Sequence, residues 1–366
     1  MSAKPRIISA SRRTDIPAYY TPWFMQRLHE GYCLVPSPYA AERVTRVSLR
    51  PQDVTAIVFW TRDPAPLLPH LGTLRDLGIP ALFHMTITGY PGIFEPDARR
   101  HGGPANADRA CDALLRLAEE VGPRCVVWRY DPVILSRHTP VTWHENTFGT
   151  LTARLAGHVD RGVTAFMEPY GQTRRRLRTL NARGAEVTLP GEHEKRDILD
   201  RLSSIALENG MPLSVCCAAI AGEQAAGCVD AEWIFRATGR VAGDTRHSGQ
   251  RTLCRCLPSF DIGVYGTCPR GCVYCYAGGT TDNRRHVFMP CHSHAPAFGM
   301  PGCPSLTVET TAATGNDTAH TPEAPAHLMG RSCLPCCQST SIPCVAIMMD
   351  AKHESECSLR LRTLLR

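Results

Sequence analysis

Short β-type runs alternate with amphipathic stretches along residues 1–245, the pattern of βα units wound around a parallel sheet. Six strands are predicted: Arg6 to Ser9, Ala56 to Trp60, Ala81 to Ile87, Cys125 to Tyr130, Thr164 to Glu168 and Leu213 to Cys217. Helices are predicted around Trp23 to Glu30, Leu67 to Leu77, Ala107 to Val121, Glu145 to His158 and Glu192 to Asn209, the last with acidic residues in its first turn. Polar groups gather where each strand runs out: Ser11-Arg12-Arg13-Thr14-Asp15, Thr61-Arg62-Asp63, Thr86 with Thr88 and Tyr90, Arg129-Tyr130-Asp131, and Glu168. In a βα barrel these ends form one mouth, where catalytic groups sit. A doubly wound sheet would also bring strand ends to a ligand crevice.

The expected architecture is α/β: a TIM-like, partial barrel of about six strands over 1–245, a cysteine-rich cluster-binding segment over 246–282, and a low-complexity, disordered tail over 283–366. The tail is rich in Pro, Thr, Ala, His and Cys and has almost no periodic apolar pattern. Composition adds little to this. The net charge of +6 is mild, and its one concentration, Arg174-Arg175-Arg176-Leu177-Arg178, reads as a solvated helix face, so nucleic-acid binding is not supported. The opening residues do not read as an export signal, and no apolar run is long enough to span a membrane, so a cytoplasmic location is expected.

Cysteine changes the picture. Of eighteen, only Cys33, Cys111 and Cys125 precede residue 200, each alone among apolar neighbours as a buried thiol would be. The rest crowd after residue 215, a distribution that favours metal binding over a disulfide scaffold. Cys268-Pro269-Arg270-Gly271-Cys272-Val273-Tyr274-Cys275 presents three thiols in one short loop with the spacing C-x-x-x-C-x-x-C. It points to a [4Fe–4S] cluster, which four cysteine thiolates normally hold. A three-cysteine loop either takes a distant fourth ligand or leaves one iron open for chemistry. Cys217, Cys228, Cys254 and Cys256, with Cys216, are candidates for that fourth ligand or for a second cluster. Zinc held by Cys256, Cys268, Cys272 and Cys275 is the rival, although paired C-x-x-C knuckles are its commoner spacing.

The stretches Ile7-Ile8-Ser9-Ala10-Ser11-Arg12-Arg13-Thr14-Asp15-Ile16-Pro17, Val58-Phe59-Trp60-Thr61-Arg62-Asp63-Pro64, Thr88-Gly89-Tyr90-Pro91, Trp128-Arg129-Tyr130-Asp131-Pro132 and Asp261-Ile262-Gly263-Val264-Tyr265-Gly266-Thr267-Cys268 through Tyr276-Ala277 resemble an uncharacterised, mainly bacterial family, a domain of unknown function. The cysteine loop itself is similar to that of radical S-adenosylmethionine (SAM) enzymes, with Tyr274 as the aromatic residue before the last cysteine. That resemblance implies Cys268, Cys272 and Cys275 on three irons and SAM on the fourth. The loop follows the whole expected barrel here, whereas radical SAM enzymes carry it after the first strand, and Gly278-Gly279 is not followed by the glutamate of their SAM-binding element. On this reading Arg12, Arg13, Arg62 and Arg129 would bind SAM or a small anionic substrate, since guanidinium forks suit carboxylate and phosphate. Asp15, Asp131 and Glu168 would bind ribose or substrate amine, or move protons. Structural ion pairs among these groups are the competing reading. An electron donor such as ferredoxin or flavodoxin would be required. A module that transfers electrons without radical chemistry is the alternative function.

Overall fold

In the computed structural model the described residues are 4–40, 43–96, 107–217, 226–242, 253–278 and 308–309. All the described residues belong to one compact unit within Met1–Ala313. The expected tail from 283 lies outside the described residues apart from Val308–Glu309.

Each predicted run overlaps a strand: β1 (Arg6–Ala10), β4 (Val54–Thr61), β5 (Ala81–Thr86), β6 (Val126–Val133), β7 (Arg161–Phe166) and β8 (Leu213–Val215). An antiparallel hairpin, β2 (Tyr32–Pro36) and β3 (Val44–Ser48), was not predicted; it lies outside the main sheet and pairs Cys33 with Val47. The main sheet has seven parallel strands in the order β8-β7-β6-β5-β4-β1-β9, where β9 is Phe260–Asp261. From β1 to β8 the spatial order follows the chain, without the reversal that a doubly wound sheet requires. The two-residue β10 (Val308–Glu309) pairs with β3.

Strand alternation divides the sheet into two apolar faces. Ile8, Ala10, Ile57, Phe59, Phe83, Met85, Trp128 and Tyr130 point one way. They meet α2 (Thr21–Glu30), α4 (Ala107–Val121), α5 (Val141–Leu155) and α7 (Glu192–Glu208) through Phe24, Leu114, Phe148 and Leu202. Phe59 stacks on Phe83 at 5.0 Å and meets Phe24 edge-on at 5.3 Å. Ile7, Ala56, Val58, Leu82, Val127, Val163 and Ala165 point the other way, against Trp233 and Ile234 of α8 (Ala231–Thr238) and against Cys216, Cys228 and Cys256. At about 1.5–3 kcal/mol for each large side chain fully buried, the two faces together supply the main driving force for folding.

The helix forecasts shift by a turn where local chemistry intervenes. The Leu67–Leu77 stretch is a 3-10 turn, Leu68–His70, followed by α3 (Leu71–Asp76). The helix forecast from Glu145 starts at Val141, directly after Pro140. The four-residue α1 (Ile16–Tyr19), α6 (Gly171–Asn181) and α8 were not forecast as helices, although the arginine run was read as a helix face and lies in α6.

β9 reaches the free edge of β1 across about 250 residues of chain through one carboxylate. Asp261 accepts hydrogen bonds from Ser9 Oγ (2.7 Å), Ser11 Oγ (2.5 Å), the Arg12 amide (2.8 Å) and the Gly263 amide (3.0 Å). Any Cβ on Gly263 would overlap the Ser11 side chain, so the close approach requires glycine there. Asp261→Asn keeps the shape but sets an amide against hydroxyl and amide donors. It is expected to weaken docking of the cysteine segment by about 1.5–3 kcal/mol, the range for hydrogen bonds to a charged group. Hydrogen exchange would then show protection lost over residues 253–278 while β4 to β7 keep theirs.

Candidate functional site

The cysteine loop lies across the C-terminal ends of β1, β4 and β5, and its own backbone and side chains hold it there. Gly266 N–H donates to Ala277 O (2.9 Å) and closes the loop at its base. Val273 N–H donates to Phe94 O (3.0 Å), and Tyr20 Oη donates to Thr267 O (2.5 Å). Arg176 of α6 donates to Cys275 O (2.8 Å) and Gly278 O (2.6 Å).

Beneath the loop Arg62 makes three side-chain hydrogen bonds. It donates to Glu95 Oε2 (2.7 Å), to Thr88 Oγ1 (3.2 Å) and to Tyr274 Oη, while Tyr274 Oη donates to Glu95 Oε1 (2.5 Å). Asp15 is the other anchor. Its Oδ1 accepts from Thr61 Oγ1 (2.6 Å) and the Ala18 amide (3.1 Å), capping α1, and its Oδ2 accepts from the Arg62 amide (3.0 Å) and faces Arg270 at 3.7 Å. Burial pushes the Asp15 carboxyl above its usual range, and Arg270 with the hydrogen bonds from Thr61, Arg62 and Ala18 pulls against it. With both oxygens engaged, Asp15 fixes β1, β4 and the loop to one another.

Burial likewise pushes the thiols of Cys268 and Cys272 up to about 12, with Asp15 adding to the first and Arg62 opposing the second. Cys275 acts electrostatically on both, which puts the three thiols in one neighbourhood. Among the described residues, no group of three or more His, Cys, Asp or Glu side chains is arranged around a metal position.

The remaining predicted residues separate. Cys217, Cys228, Cys254 and Cys256 gather with Cys216 against the second face of the sheet, beside Trp60, Val127 and Trp233. Arg129 joins them: it donates to Cys228 Sγ (3.2 Å) and pairs with Asp131. Arg12 lies over the Trp60 ring at 4.8 Å, and Arg13 over Tyr265 at 5.1 Å. Glu168 is exposed and accepts from Tyr170 Oη (2.9 Å). Sequence reasoning passed over Glu95, Arg270, Arg176 and the role of Asp261. Asp261 and Arg270 stood inside motifs already singled out, whereas Glu95 sits in a loop with no pattern to mark it.

A cavity of 170 Å³ adjoins the loop, lined by Arg62, Thr88, Tyr90, Glu95 and Arg270 among others. A larger one, 330 Å³, opens at the opposite ends of the strands between Leu74, Ile79, Cys125 and Ala237, with Arg75 and Glu120 also in its lining. Arg62→Ala would leave Glu95 without its cation. Removing one partner of a fully buried pair costs about 3–5 kcal/mol; the 14% and 11% exposure of these side chains lowers the expected loss to about 2–4 kcal/mol, read from denaturant unfolding.

Solved structures with weak likeness to the chain include two D-hydantoinases. A D-hydantoinase from a Bacillus sp. AR9 is 11% identical with a TM-score of 0.27, and another D-hydantoinase is 13% identical with the same score. Each match covers 60% of this chain and 42% of the hydantoinase, values too low to carry a conclusion about fold or activity. No curated protein matches the chain. The family model for a domain of unknown function, DUF1848, matches residues 7–277, which run from the first strand to the end of the cysteine loop. The chain therefore belongs to the DUF1848 family.

Proposed function

We propose that the sheet is a partial βα barrel, that Cys268, Cys272 and Cys275 hold a [4Fe–4S] cluster over its mouth, and that the protein is a radical-SAM-like enzyme acting on a small anionic substrate. The observation that carries this reading is the anchoring of the loop over the strand ends by the Arg62–Glu95–Tyr274 network. The donor set fits: three soft thiol donors lie within eight residues, and the cations Arg62 and Arg270 act on Cys272. When bound with one iron free of protein ligands, such a cluster supplies the electron that cleaves SAM. A cytoplasmic ferredoxin or flavodoxin would be its donor.

The chain's own residues hold and orient. Arg62, Glu95 and Tyr274 fix the loop, and Asp15 fixes the strand ends beneath it. Arg13, with its side chain 20% exposed, offers a cationic edge to an anionic substrate at the mouth. Tyr90 closes the cavity wall through Oη, which donates to Pro132 O (2.7 Å) and accepts from the Ile134 amide (2.8 Å).

One observation favours the non-radical alternative. At 170 Å³ the cavity beside the loop is smaller than the roughly 300–1,000 Å³ of pockets that enclose drug-sized ligands, a volume better suited to a closed electron-transfer centre.

Anaerobic reconstitution of the full chain should give ~4 iron and ~4 sulfide at the loop, and Cys268→Ala, Cys272→Ala or Cys275→Ala should each abolish that cluster's absorbance. Unchanged absorbance in all three variants would remove the ligand assignment. Electron paramagnetic resonance of the reduced protein separates the two functions. A spectrum altered by SAM, with 5′-deoxyadenosine released, supports the enzyme; a spectrum indifferent to SAM supports electron transfer.

A further inference from the structure

The second cysteine group has features that core packing does not explain. Hydrogen-bonding contacts run from Cys216 to Cys217 and Cys228, from Cys228 to Cys256, from Cys256 to Cys254, and from Cys254 back to Cys217. Five free thiols thus close a ring, although they come from three separate stretches of chain. Buried thiols used as small apolar filler have no reason to collect in this way.

The backbone is built to bring them together. Cys216 N–H donates to Thr164 O (2.9 Å), which extends the pairing of β8 with β7. Leu257 N–H donates to Val229 O (2.7 Å), and Cys228 N–H donates to Cys256 Sγ (3.1 Å). A Cβ on Gly227 would come within 2.6 Å of Arg255 O, so only glycine lets these two stretches approach. Cys217 has φ of 53°, a left-handed conformation that non-glycine residues keep where their surroundings force it.

Positive charge faces the thiols. Arg129 Nη1 donates to Cys228 Sγ at 3.2 Å. Arg12 acts electrostatically on Cys256, and its buried Nη2 has no hydrogen-bond partner among the described residues. His84, wholly buried, bonds Cys228 O through Nε2 (2.9 Å), and its Nδ1 has no partner among the described residues. A divalent metal with four thiolates carries a net charge of about −2, as does an oxidised [4Fe–4S] cluster with four thiolates, and Arg12, with Arg129 already paired to Asp131, offsets part of it.

We propose that Cys217, Cys228, Cys254 and Cys256 form a second metal centre, separate from the 268–275 loop, that binds a thiophilic metal through four thiolates. Cys217 is chosen over Cys216 because its constrained backbone fixes the direction of its side chain. The described thiols touch in pairs around the ring and are not grouped about one metal position, so ligation turns four Sγ atoms inward. Each ligand that enters as a thiol gives up its proton to solvent on binding. The centre does not depend on a cluster in the loop, so the two assignments fail separately.

The test is metal and sulfide analysis of the full chain carrying Cys268→Ser, Cys272→Ser and Cys275→Ser together, compared with the same protein also carrying Cys228→Ser and Cys254→Ser. The comparison cancels metal held by the remaining cysteines. One centre per chain is expected in the first protein and its loss in the second; zinc without sulfide identifies a mononuclear site, and iron with sulfide a cluster. Equal metal in both proteins overturns the proposal. In case the five-fold variant misfolds, alkylation of the three-fold variant is mapped by mass spectrometry. Cys217, Cys228, Cys254 and Cys256 should be protected before chelation and modified after it; equal modification in both states overturns the proposal.

Discussion

Everything at the strand ends depends on Asp261. The cysteine segment is the last part of the described sheet in sequence, yet it lies against the first strand, and the contact is a two-residue strand whose ladder alone is too short to hold it. One carboxylate receiving four donors, two of them hydroxyls from β1 and the turn after it, makes the edge specific. Residues 262–278 run from that edge over the ends of β1, β4 and β5. A βα barrel places its chemistry at the same ends.

From that edge the chain supplies two cysteine neighbourhoods with different electrostatics. The loop thiols sit among groups that neutralise one another, Arg62 with Glu95 and Arg270 with Asp15. The ring thiols face a net excess of guanidinium, because Asp131 offsets only Arg129. Arg12 lies between the two groups. Its guanidinium covers Trp60 and acts on Cys256, while its carbonyl accepts from Tyr276 Oη (3.3 Å), one residue after Cys275. The same turn after β1 that Asp261 secures therefore touches both groups.

The strands were legible because burial on both faces turns them into nearly continuous apolar runs, as in Val54–Thr61 and Val126–Val133. The hairpin was not, since Tyr32–Pro36 is short and ends in proline, and Val44–Ser48 carries an arginine midway. Helix α6 hid behind its arginines: among its described side chains Thr173, Leu177 and Leu180 form the buried stripe. In the candidate site, spacing singled out Cys268, Cys272 and Cys275 because three cysteines in one short loop are a local pattern. Pairing was not legible. That Arg62 meets Glu95 and Tyr274, or that Cys228 meets Cys256, depends on contacts across 28 to 212 residues that no local pattern encodes.

Long separation also orders assembly. Joining β9 to β1 closes a loop of about 250 residues, and that entropy is recovered only once the intervening βα units have folded and shortened the effective path. The loop over the mouth and the thiol ring behind it therefore form last, on a sheet already built. Both stretches that complete them, 226–229 and 253–278, contain no regular element beyond the two-residue β9, so little backbone ladder holds them against local opening. A metal bound by either group would favour the docked state in proportion to its affinity, since it binds the assembled thiols and not the open chain. Were either group to hold a metal, its loading and the docking of the cysteine segment would be one equilibrium, with Asp261 setting how far it lies toward the docked state before any metal binds.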